Sequence, residues 1–452
     1  MRIVCIGLSF HSAPVEVRER LAFTGERLAL ALSSLRALPG VDQAVLLTTC
    51  NRTEIYTAST HHAGPAVRAW LLDQAGLSAD SLWPHVYELV GHEAADHLCR
   101  VAAGLDSQLL GEAEILGQVR SALRAAKGAE VVGSTLERLF LAAVAAGRRA
   151  RHETRISRGA FSAGRCAVET AKRVLGPLGG RTFLILGAGK VAESAARHLR
   201  RHGAETILVA NRTHSRAQEM ACEIGGRALR YDQLTQGLVE ADIVISSTAA
   251  PHYVLLAEHV AEAMSQRGGR ELFLLDTAVP RDIDPEVASL PGVHLYDIDD
   301  LTCELNEAAA GRAAEVVAAE AIVSEEAEEY WQWLVAREAV ATLTSLHDRF
   351  AQAQEDQLGK FARKLERLSP EDRKWVAELA GSLTKRLLHE TRLSFKQELA
   401  LGNGQGAASR AAGRPAEPQV ERDATSYRVP SRLLTDLALV EARAAIQSER
   451  QG

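Results

Sequence analysis

The sequence feature that most constrains the fold of this chain is a glycine turn between a short apolar run and a helical pattern. The run leads into Gly187-Ala188-Gly189, and the helical pattern continues through Arg200. Further apolar runs alternate with helical patterns, which predicts a doubly wound parallel sheet over about residues 160–300. The predicted elements are strands at Thr182–Leu186, Thr206–Ala210, Ile243–Ser246 and Leu272–Leu275, and a helix at 214–224.

The same turn has the spacing of a dinucleotide-binding loop. The first glycine allows a tight turn, the second lets a pyrophosphate approach the backbone, and a small third residue lets helix and strand pack closely. A GxGxxA pattern also occurs in loops that bind nothing, so a structural turn is the alternative. The strand and helix on either side favour a cofactor. The predicted cofactor-binding residues are Gly187, Ala188, Gly189, Lys190, Val191 and Ala192.

The end of the next predicted strand indicates which cofactor is used. An NAD site usually has Asp or Glu there for the ribose 2′-hydroxyl, whereas this chain has Asn211-Arg212-Thr213. A guanidinium suits a 2′-phosphate, so Arg212 favours NADPH. The alternative is that Arg212 is a solvated surface arginine.

Composition limits the class of protein. The chain has 452 residues, enough for two to four domains, and a formal net charge of −6, which disfavours indiscriminate nucleic-acid binding. No apolar run approaches the length of a membrane-spanning helix, and the first residues resemble a strand more than a signal peptide. The six cysteines form no CxxC pair or metal-type cluster, so we expect reduced thiols, a cytoplasmic location and no metal site.

The regions on either side of the predicted sheet differ in character. Residues 1–155 indicate mixed α/β structure, with a strand-like run at Val45–Cys50 and helical stretches around Ala94–Ala126 and Ser134–Arg151. After Asp299 an apolar stripe recurs at steps of three and four residues, which predicts an amphipathic helix of more than about 30 residues. That stripe is Val316, Ala319, Val323, Ala327, Tyr330 and Leu334.

The predicted fold class is therefore α/β plus all-α, in four parts. These are a catalytic domain at 1–155, a Rossmann-type domain at 156–300, a spinal helix with a dimerisation domain at 301–400, and a linker with a last helix at 401–452. Apolar stripes on the helices need a covering surface, which a homodimer supplies most simply. Residues 402–418 resemble a flexible linker, and an apolar pattern from Leu433 to Ala444 predicts the last helix.

Cys50 is a candidate nucleophile. It follows a predicted strand within Thr49-Cys50-Asn51-Arg52, where the nearby arginine favours a thiolate. A cysteine at a strand end is more often a small buried residue. The polar neighbours are awkward to bury unless they bind something, which favours the chemical interpretation.

Several blocks, in the same order along the chain, resemble the glutamyl-tRNA reductase family over about residues 1–400. Because unrelated motifs agree in order, the resemblance is more specific than the glycine turn. The blocks are Gly7–Glu19, Thr49–Tyr56, Gly104–Ser107 continuing through Leu110–Glu112 to Ile115–Gln118, Glu153–Ile156 and Asp276–Asp282.

The resemblance implies a reaction and a set of site residues. The thiolate of Cys50 attacks the ester carbonyl of glutamyl-tRNA, and NADPH reduces the resulting thioester to glutamate-1-semialdehyde, the precursor of 5-aminolevulinate and tetrapyrroles. His97 matches the family's assisting histidine, and Arg52 is a plausible clamp for the free carboxylate. Cys99, two residues after His97, is expected to pack in the interior. The implied substrate-binding residues are Thr49, Asn51, Arg52, Ser107, Glu112, Ala113, Glu114 and Gln118.

Two departures from the family pattern concern the pocket. Many members have Pro-Gln after the position of Glu112, where this chain has Ala113-Glu114. A carboxylate there repels an anionic substrate unless Glu114 faces the glutamyl amino group or turns away. Phe10 and Ser12 also replace commoner polar His and Thr.

Partners and alternatives remain open. A basic stretch either faces tRNA phosphates or is a solvated helix, and an aminotransferase that accepts the semialdehyde is a plausible partner. An NADP-dependent dehydrogenase of a small carbonyl or hydroxy acid, such as a shikimate dehydrogenase relative, leaves Thr49–Arg52 unexplained. A non-catalytic tRNA-binding protein would have no need of Cys50 or the glycine turn. The basic stretch comprises Arg148, Arg149, Arg151, Arg155, Arg158 and Arg165.

Hydride transfer requires Cys50 and the nicotinamide to meet, although some 137 residues separate Cys50 from Gly187. We therefore predict a closure of the two domains on each other.

Overall fold

A computed structural model describes residues 1–61, 63–112, 114–157, 163–201, 203–300, 313–365 and 367–389. The chain forms two compact units, Met1–Glu328 and Glu329–Gly452. The first unit contains both sheets, so the elements that position the site belong to one compact body.

The amino-terminal part is a four-stranded antiparallel sheet in the order β2-β3-β1-β4. All eight residues of its third strand are buried, because helices cover the sheet and the strand lies between two neighbours. The strands are β1 Arg2–Ser9, β2 Gln43–Thr48, β3 Arg52–Ser59 and β4 Tyr87–Val90; the helices are α1 Val15–Arg18, α2 Gly25–Arg36, α3 Gly64–Ala75, α4 Ala79–Leu82, α5 His92–Ala103, α6 Glu114–Gly128 and α7 Ser134–Glu153.

The helical stretch predicted around Ala94–Ala126 is two helices, α5 and α6, so that prediction was wrong. Gly104 adopts a left-handed conformation with φ of 77°, and its amide donates back to the end of α5. This is a common way for a helix to end, since glycine has no Cβ to oppose positive φ. The non-helical segment between the helices carries Ser107 and Glu112 towards the sheet.

The second part of the first unit is a six-stranded sheet in the order β10-β9-β8-β5-β6-β7, and all its pairings are parallel. Apolar clusters cover both faces. This is the doubly wound arrangement predicted from the sequence, with two short edge strands that the periodicity missed. The strands are β5 Thr182–Leu186, β6 Thr206–Ala210, β7 Arg227–Leu229, β8 Ile243–Ser246, β9 Leu272–Asp276 and β10 Val293–Tyr296; the helices are α8 Ala163–Leu175, α9 Lys190–Arg201, α10 His214–Ile224, α11 Leu234–Glu240 and α12 Ala257–Gln266.

The carboxyl-terminal region is helical. Helix α13, Ala313–Lys360, has 48 residues, which confirms the predicted long helix. It is followed by α14, Ala362–Leu365, and by α15 at 370–389. The predicted linker at 402–418 and last helix lie outside the described residues. Within the part of the chain that the structure describes, no helix combines the length and apolarity needed to cross a membrane.

Candidate active site

Cys50 lies in the tight turn that joins β2 to β3. The turn closes through a hydrogen bond of 2.9 Å from the amide of Thr49 to the carbonyl of Arg52. The Thr49 hydroxyl oxygen accepts the amides of Asn51 and Arg52, each at 3.1 Å. The amide of Phe10 donates to the Asn51 carbonyl at 2.8 Å, which ties the turn to the end of β1. The backbone therefore holds the partly buried thiol of Cys50 in one place.

The surroundings of Cys50 disfavour a thiolate in the free protein. Burial and the nearby carboxylates of Glu112 and Glu114 raise the pKa of the thiol to about 12, against the lowering effect of Arg18. Arg18 is buried, and its guanidinium donates to the carbonyl of Cys50 and to the carboxylate of Asp299. The sequence predicted that Arg52 favours the thiolate. In the structure the cation that does so is Arg18.

Arg52 belongs to a buried ionic network instead. Its side chain is 1% exposed, and Nη1 lies 2.7 Å from Glu54 Oε1 and 2.9 Å from Asp106 Oδ2. A second nitrogen donates to the carbonyl of Asp106. Burial favours a neutral Glu54, but His97 and Arg52 hold the pKa of this carboxyl well below its usual range. The carboxylate is therefore ionised at neutral pH.

His97 is oriented by the same carboxylate. Its Nε2 lies 2.9 Å from Glu54 Oε1, and the Tyr56 and Tyr87 hydroxyls each donate to Glu54 at 2.6 Å. Because Glu54 is ionised and only accepts, Nε2 of His97 must carry the proton. The other nitrogen, Nδ1, lies 3.9 Å from Asp106 Oδ2 and is the one left for chemistry.

Cys5, Glu54 and His97 have ligand-type atoms within 4.8 Å of one another. The Glu54 carboxylate is already neutralised by Arg52 and bound by two tyrosines, so the trio is accounted for by this network. The sequence-based expectation of no metal site stays a prediction. Cys99, expected to pack, is fully buried on α5.

The predicted substrate residues have contrasting environments. The side-chain oxygen of Asn51 is buried and has no hydrogen-bond partner among the described residues, whereas Thr49 and Arg52 are satisfied internally. Burial raises the pKa of Glu112 to about 6. The Ser107 hydroxyl acts to lower this pKa, and the Glu114 carboxylate acts to raise it further. Burial also raises the pKa of Glu114, against the effect of Lys190. Ala113 lies outside the described residues.

A cavity of about 470 Å³ lies between the two sheets of the first unit. Thr48 and Gln118 line it from the amino-terminal part, and Lys190 lines it from the glycine turn. Glu114 faces the same cavity, so its carboxylate shares the space with a cation. The remaining lining residues are Leu28, Leu46, Gly117, Arg120, Ser121, Ala122 and Arg124.

The glycine turn fits a dinucleotide. Gly187 has φ of +105°, and a Cβ there would lie 2.2 Å from the Ser247 carbonyl oxygen, so no other residue fits. Gly189 faces open space, with nothing within 4 Å of an added Cβ, where a pyrophosphate can approach. Ala192 is fully buried, as close packing of α9 requires. Arg212 is exposed just beyond the end of β6.

The structure brings the two halves of the predicted site together. Cys50 and Ala188 both pack against the apolar cluster of the six-stranded sheet, which Val15 and Leu109 of the amino-terminal part also join. Arg281 lies 2.8 Å from Glu19 and 3.0 Å from Glu16. The thiol therefore contacts the apolar core of the nucleotide-binding part. A motion between open and closed states stays a prediction.

Two arginines of the predicted basic stretch are bound within the protein. Arg149 pairs with Glu153, Glu325 and Glu326, and Arg151 donates to three main-chain carbonyls. Arg148 and Arg155 are exposed. Arg158 and the side chain of Arg165 lie outside the described residues.

Sequence reasoning assigned no role to four residues that contact or surround the site. Three of them fall in a block that carried the family resemblance, and Asp299 falls beyond the last block, but a block does not show which side chains meet. The contacts that were missed join distant positions: Arg18 meets Cys50 32 residues away and Asp299 281 residues away, Asp106 meets Arg52 across 54 residues, and Glu54 meets His97 across 43. These residues are Arg18, Glu54, Asp106 and Asp299.

A dinucleotide-binding sheet packed against a cysteine-bearing domain defines a thiol-containing, pyridine-nucleotide-dependent oxidoreductase. A family model for shikimate/quinate 5-dehydrogenase matches residues 169–303, which supports the pyridine nucleotide. Models for the amino-terminal domain and the dimerisation domain of glutamyl-tRNAGlu reductase match residues 6–154 and 318–414. The dehydrogenase match is confined to the nucleotide-binding part, so it does not favour the dehydrogenase alternative.

This chain belongs to the glutamyl-tRNA reductase family. It is 41% identical to glutamyl-tRNA reductase of Heliobacterium mobile over 392 residues, which cover 86% of this chain and 88% of that protein. The identity to the Moorella thermoacetica protein is 41% over 88% of this chain and 90% of the other. A solved glutamyl-tRNA reductase from Methanopyrus kandleri is 33% identical to this chain. The match covers 90% of this chain and 97% of the solved chain, with a TM-score of 0.47.

Proposed function

We propose that this chain reduces glutamyl-tRNA to glutamate-1-semialdehyde with NADPH, through a thioester on Cys50, as the first committed step of tetrapyrrole synthesis. The observation that carries the proposal is the position of Cys50, held by a rigid turn against the core that binds the nucleotide. An ordinary dehydrogenase has no use for a thiol at that place. The family membership supplies the substrate.

The first half of the reaction uses the amino-terminal part. The Cys50 sulfur forms a bond to the ester carbonyl carbon, and the bond from that carbon to the tRNA ribose oxygen breaks. His97 supports this step by hydrogen bonding or proton transfer through Nδ1, since Nε2 is held by Glu54. In the second half, NADPH when bound would supply a hydride to the acyl carbon, the bond from that carbon to the Cys50 sulfur would break, and the aldehyde would leave with the thiolate restored.

Substrate binding also has to activate the thiol. The pKa of Cys50 is raised to about 12 by burial and two carboxylates, so a cation is needed for attack near neutral pH. The free ammonium of the glutamyl group is such a cation. Glu114, Glu112 and the unpartnered oxygen of Asn51 are suited to accept it. In this proposal Glu114, which departs from the family pattern, helps to bind the substrate ammonium.

Arg52 is the proposed recognition element for the glutamyl side-chain carboxylate. Its guanidinium is already bound by Glu54 and Asp106, and Asp106 is the more exposed of the two. A substrate carboxylate therefore has to displace or join Asp106. Thr49, Ser107, Ala113 and Gln118 complete the proposed pocket.

NADPH is the proposed cofactor, held by Gly187–Ala192 and selected by Arg212. An exposed guanidinium just beyond β6 is suited to a 2′-phosphate. The test is the ratio of kcat/KM for NADPH to that for NADH. We expect Arg212→Asp to lower this ratio by about 100-fold. An unchanged ratio would remove Arg212 from cofactor selection.

The proposed assembly is a cytoplasmic homodimer that passes its product to an aminotransferase. Leu379, Leu383 and Leu387 recur on one face of α15 and are more than half exposed in the single chain. They lie within the match to the dimerisation domain, residues 318–414. The five cysteines of the described part are free thiols, as a reducing compartment requires. Sedimentation of Leu383→Glu should give a monomer; a dimer would place the interface elsewhere.

One assay tests the proposed reaction. The enzyme is incubated with glutamyl-tRNA and NADPH, and the semialdehyde is trapped. Wild-type protein should produce it and Cys50→Ser should not. If wild-type protein produces neither semialdehyde nor a glutamyl-enzyme, the proposed function is wrong. Activity that persists in Cys50→Ser would refute only the role of this thiol.

A further inference from the structure

Helix α6 presents one face to the cavity between the two sheets. Glu114, Gln118, Ser121 and Arg124 lie on this face at steps of three and four residues, and Arg120 flanks it. The helix therefore connects the Cys50 end of the cavity, where Thr48 and Glu114 lie, to a basic end. We refer to Arg120, Arg124 and Lys190 as the basic groove.

The two arginines of this groove have no acidic partner among the described residues. Arg120 and Arg124 are exposed, and neither makes an ion pair with any described residue. Two like charges four residues apart on one helix destabilise it by about 0.2–0.5 kcal/mol. Two other basic residues nearby are paired, Lys127 with Glu137 and Arg149 with three glutamates. Both guanidinium groups are therefore available to an anion that enters the cavity.

The length of the groove limits what that anion is. Ten residues separate Glu114 from Arg124, which corresponds to about 15 Å of helix axis. One strand of stacked nucleotides rises about 3.4 Å per residue, so this distance spans roughly four nucleotides. The ester attacked by Cys50 is attached to the last ribose of an unpaired strand. Its own phosphate and those before it must therefore lie near the thiol.

We propose that Arg120 and Arg124 bind the phosphates of the single-stranded acceptor end of tRNA, with Lys190 beside the last of them. The inference rests on the proposed function and adds the path of the RNA to it. The strand enters over the basic end of α6 and ends at Cys50. The carboxylate of Glu114 lies at the aminoacyl end, where a free ammonium is available, and ten residues away from Arg124. The basic stretch on α7 is not part of this path.

A second source of phosphate lies close by, because the nucleotide cofactor binds over the turn that contains Lys190. The two arginines distinguish these sources, since they belong to α6 and not to the glycine turn. The experiment compares steady-state kinetics of the full-length enzyme, Arg120→Gln/Arg124→Gln and Arg148→Gln. Arg148 is an exposed arginine of α7 and serves as the matched control.

We expect the double variant to raise KM for glutamyl-tRNA by about tenfold and to lower the slope of log KM against log salt by about two. Its kcat, its KM for NADPH and its melting temperature should stay within about twofold or 2 °C of wild type, since both residues are exposed. Glutamyl-adenosine has an ester but no phosphate. With this substrate, wild type and the double variant should be equal.

Three results would overturn the inference. A rise in KM for NADPH with no change for tRNA would assign the groove to the cofactor phosphates. An equal loss in Arg148→Gln would indicate diffuse attraction, and an equal loss with glutamyl-adenosine would indicate a role in shaping the pocket. In all three cases an active wild-type enzyme would leave the proposed function standing, whereas an inactive wild-type enzyme would refute that function first.

Discussion

The two sheets of the first unit contribute to catalysis in different ways. In the six-stranded sheet the important feature is a backbone shape, a turn that only glycine permits and that leaves space for a pyrophosphate. In the four-stranded sheet the important features are buried charged side chains, among which Arg52, Glu54 and Arg18 are each nearly inaccessible to solvent. The six-stranded sheet has the form of a general cofactor platform. We propose that the four-stranded sheet is specialised for one substrate.

This difference has an energetic consequence. A glycine turn and apolar faces are stable without a ligand, so the nucleotide-binding part tolerates an empty site. A buried ionic network is stable only while every member keeps its partner, because an unpaired buried charge is costly. Changes in the network should therefore affect folding and thiol chemistry together, whereas changes at the turn should affect the nucleotide-binding part and leave the thiol chemistry intact.

The largest effect should come from Glu54→Gln, which leaves Arg52 with half its buried counter-charge. We expect a loss of about 3–5 kcal/mol in the free energy of unfolding, as for other broken buried pairs. Chemical denaturation of the variant and of wild type measures this loss. The control is Glu88→Gln, whose partner Arg68 lies 3.5 Å away at a partly exposed position, and which should cost less than about 1 kcal/mol. Equal losses in the two variants would mean that the buried network is no more important for stability than an exposed ion pair.

Gly187→Ala should damage the nucleotide-binding part. The new Cβ would lie 2.2 Å from the Ser247 carbonyl oxygen, so the turn must shift away from the cofactor. We expect a loss of about 100-fold in kcat/KM for NADPH. Formation of the glutamyl-enzyme without NADPH should continue. The companion variant Gly189→Ala meets no protein atom, so it should weaken NADPH binding without altering stability. If Gly187→Ala also abolishes the glutamyl-enzyme, the two sheets are not separable in function.

Arg281→Gln tests the joint between the two sheets. This arginine contacts Glu16 and Glu19 of the amino-terminal part. Removing it should slow the NADPH-dependent conversion of the glutamyl-enzyme by about tenfold through looser alignment, and leave formation of that intermediate unchanged. Single-turnover kinetics separates the two steps. Arg270, whose partner Asp242 belongs to the same sheet, is the control, and Arg270→Gln should leave both steps unchanged. A similar loss in both variants would exclude a specific joint.

The smallest effect concerns the pKa of Cys50. Burial raises the pKa of the Cys50 thiol most and the carboxylate of Glu112 raises it further, so Glu112→Gln should lower this pKa. The pH dependence of Cys50 alkylation should then shift to lower pH. Glu114→Gln should produce a smaller shift in the same direction, since its effect on the thiol is weaker. A shift to higher pH in either variant would contradict the assigned electrostatics.

The same contrast explains what could be predicted from the sequence. The parallel sheet, its glycine turn and the long helix α13 follow from local periodicity, and the structure confirms them. The break at Gly104 was missed because the helical patterns on both sides share one period. The network was missed because it depends on contacts between distant positions, such as Arg52 with Asp106 and Arg18 with Asp299. The motif blocks contained Arg18, Arg52 and Asp106 but did not show that Arg52 was already paired.

The central claim is that the Cys50 sulfur carries the glutamyl group before reduction. The most direct measurement is an acid quench of the enzyme with labelled glutamyl-tRNA in the absence of NADPH, followed by peptide mapping. We predict a label that maps to Cys50 and is absent in Cys50→Ser. Hydroxylamine should release this label, and NADPH should convert it to semialdehyde. A label on another residue, or semialdehyde formed by Cys50→Ser at the wild-type rate, would contradict it.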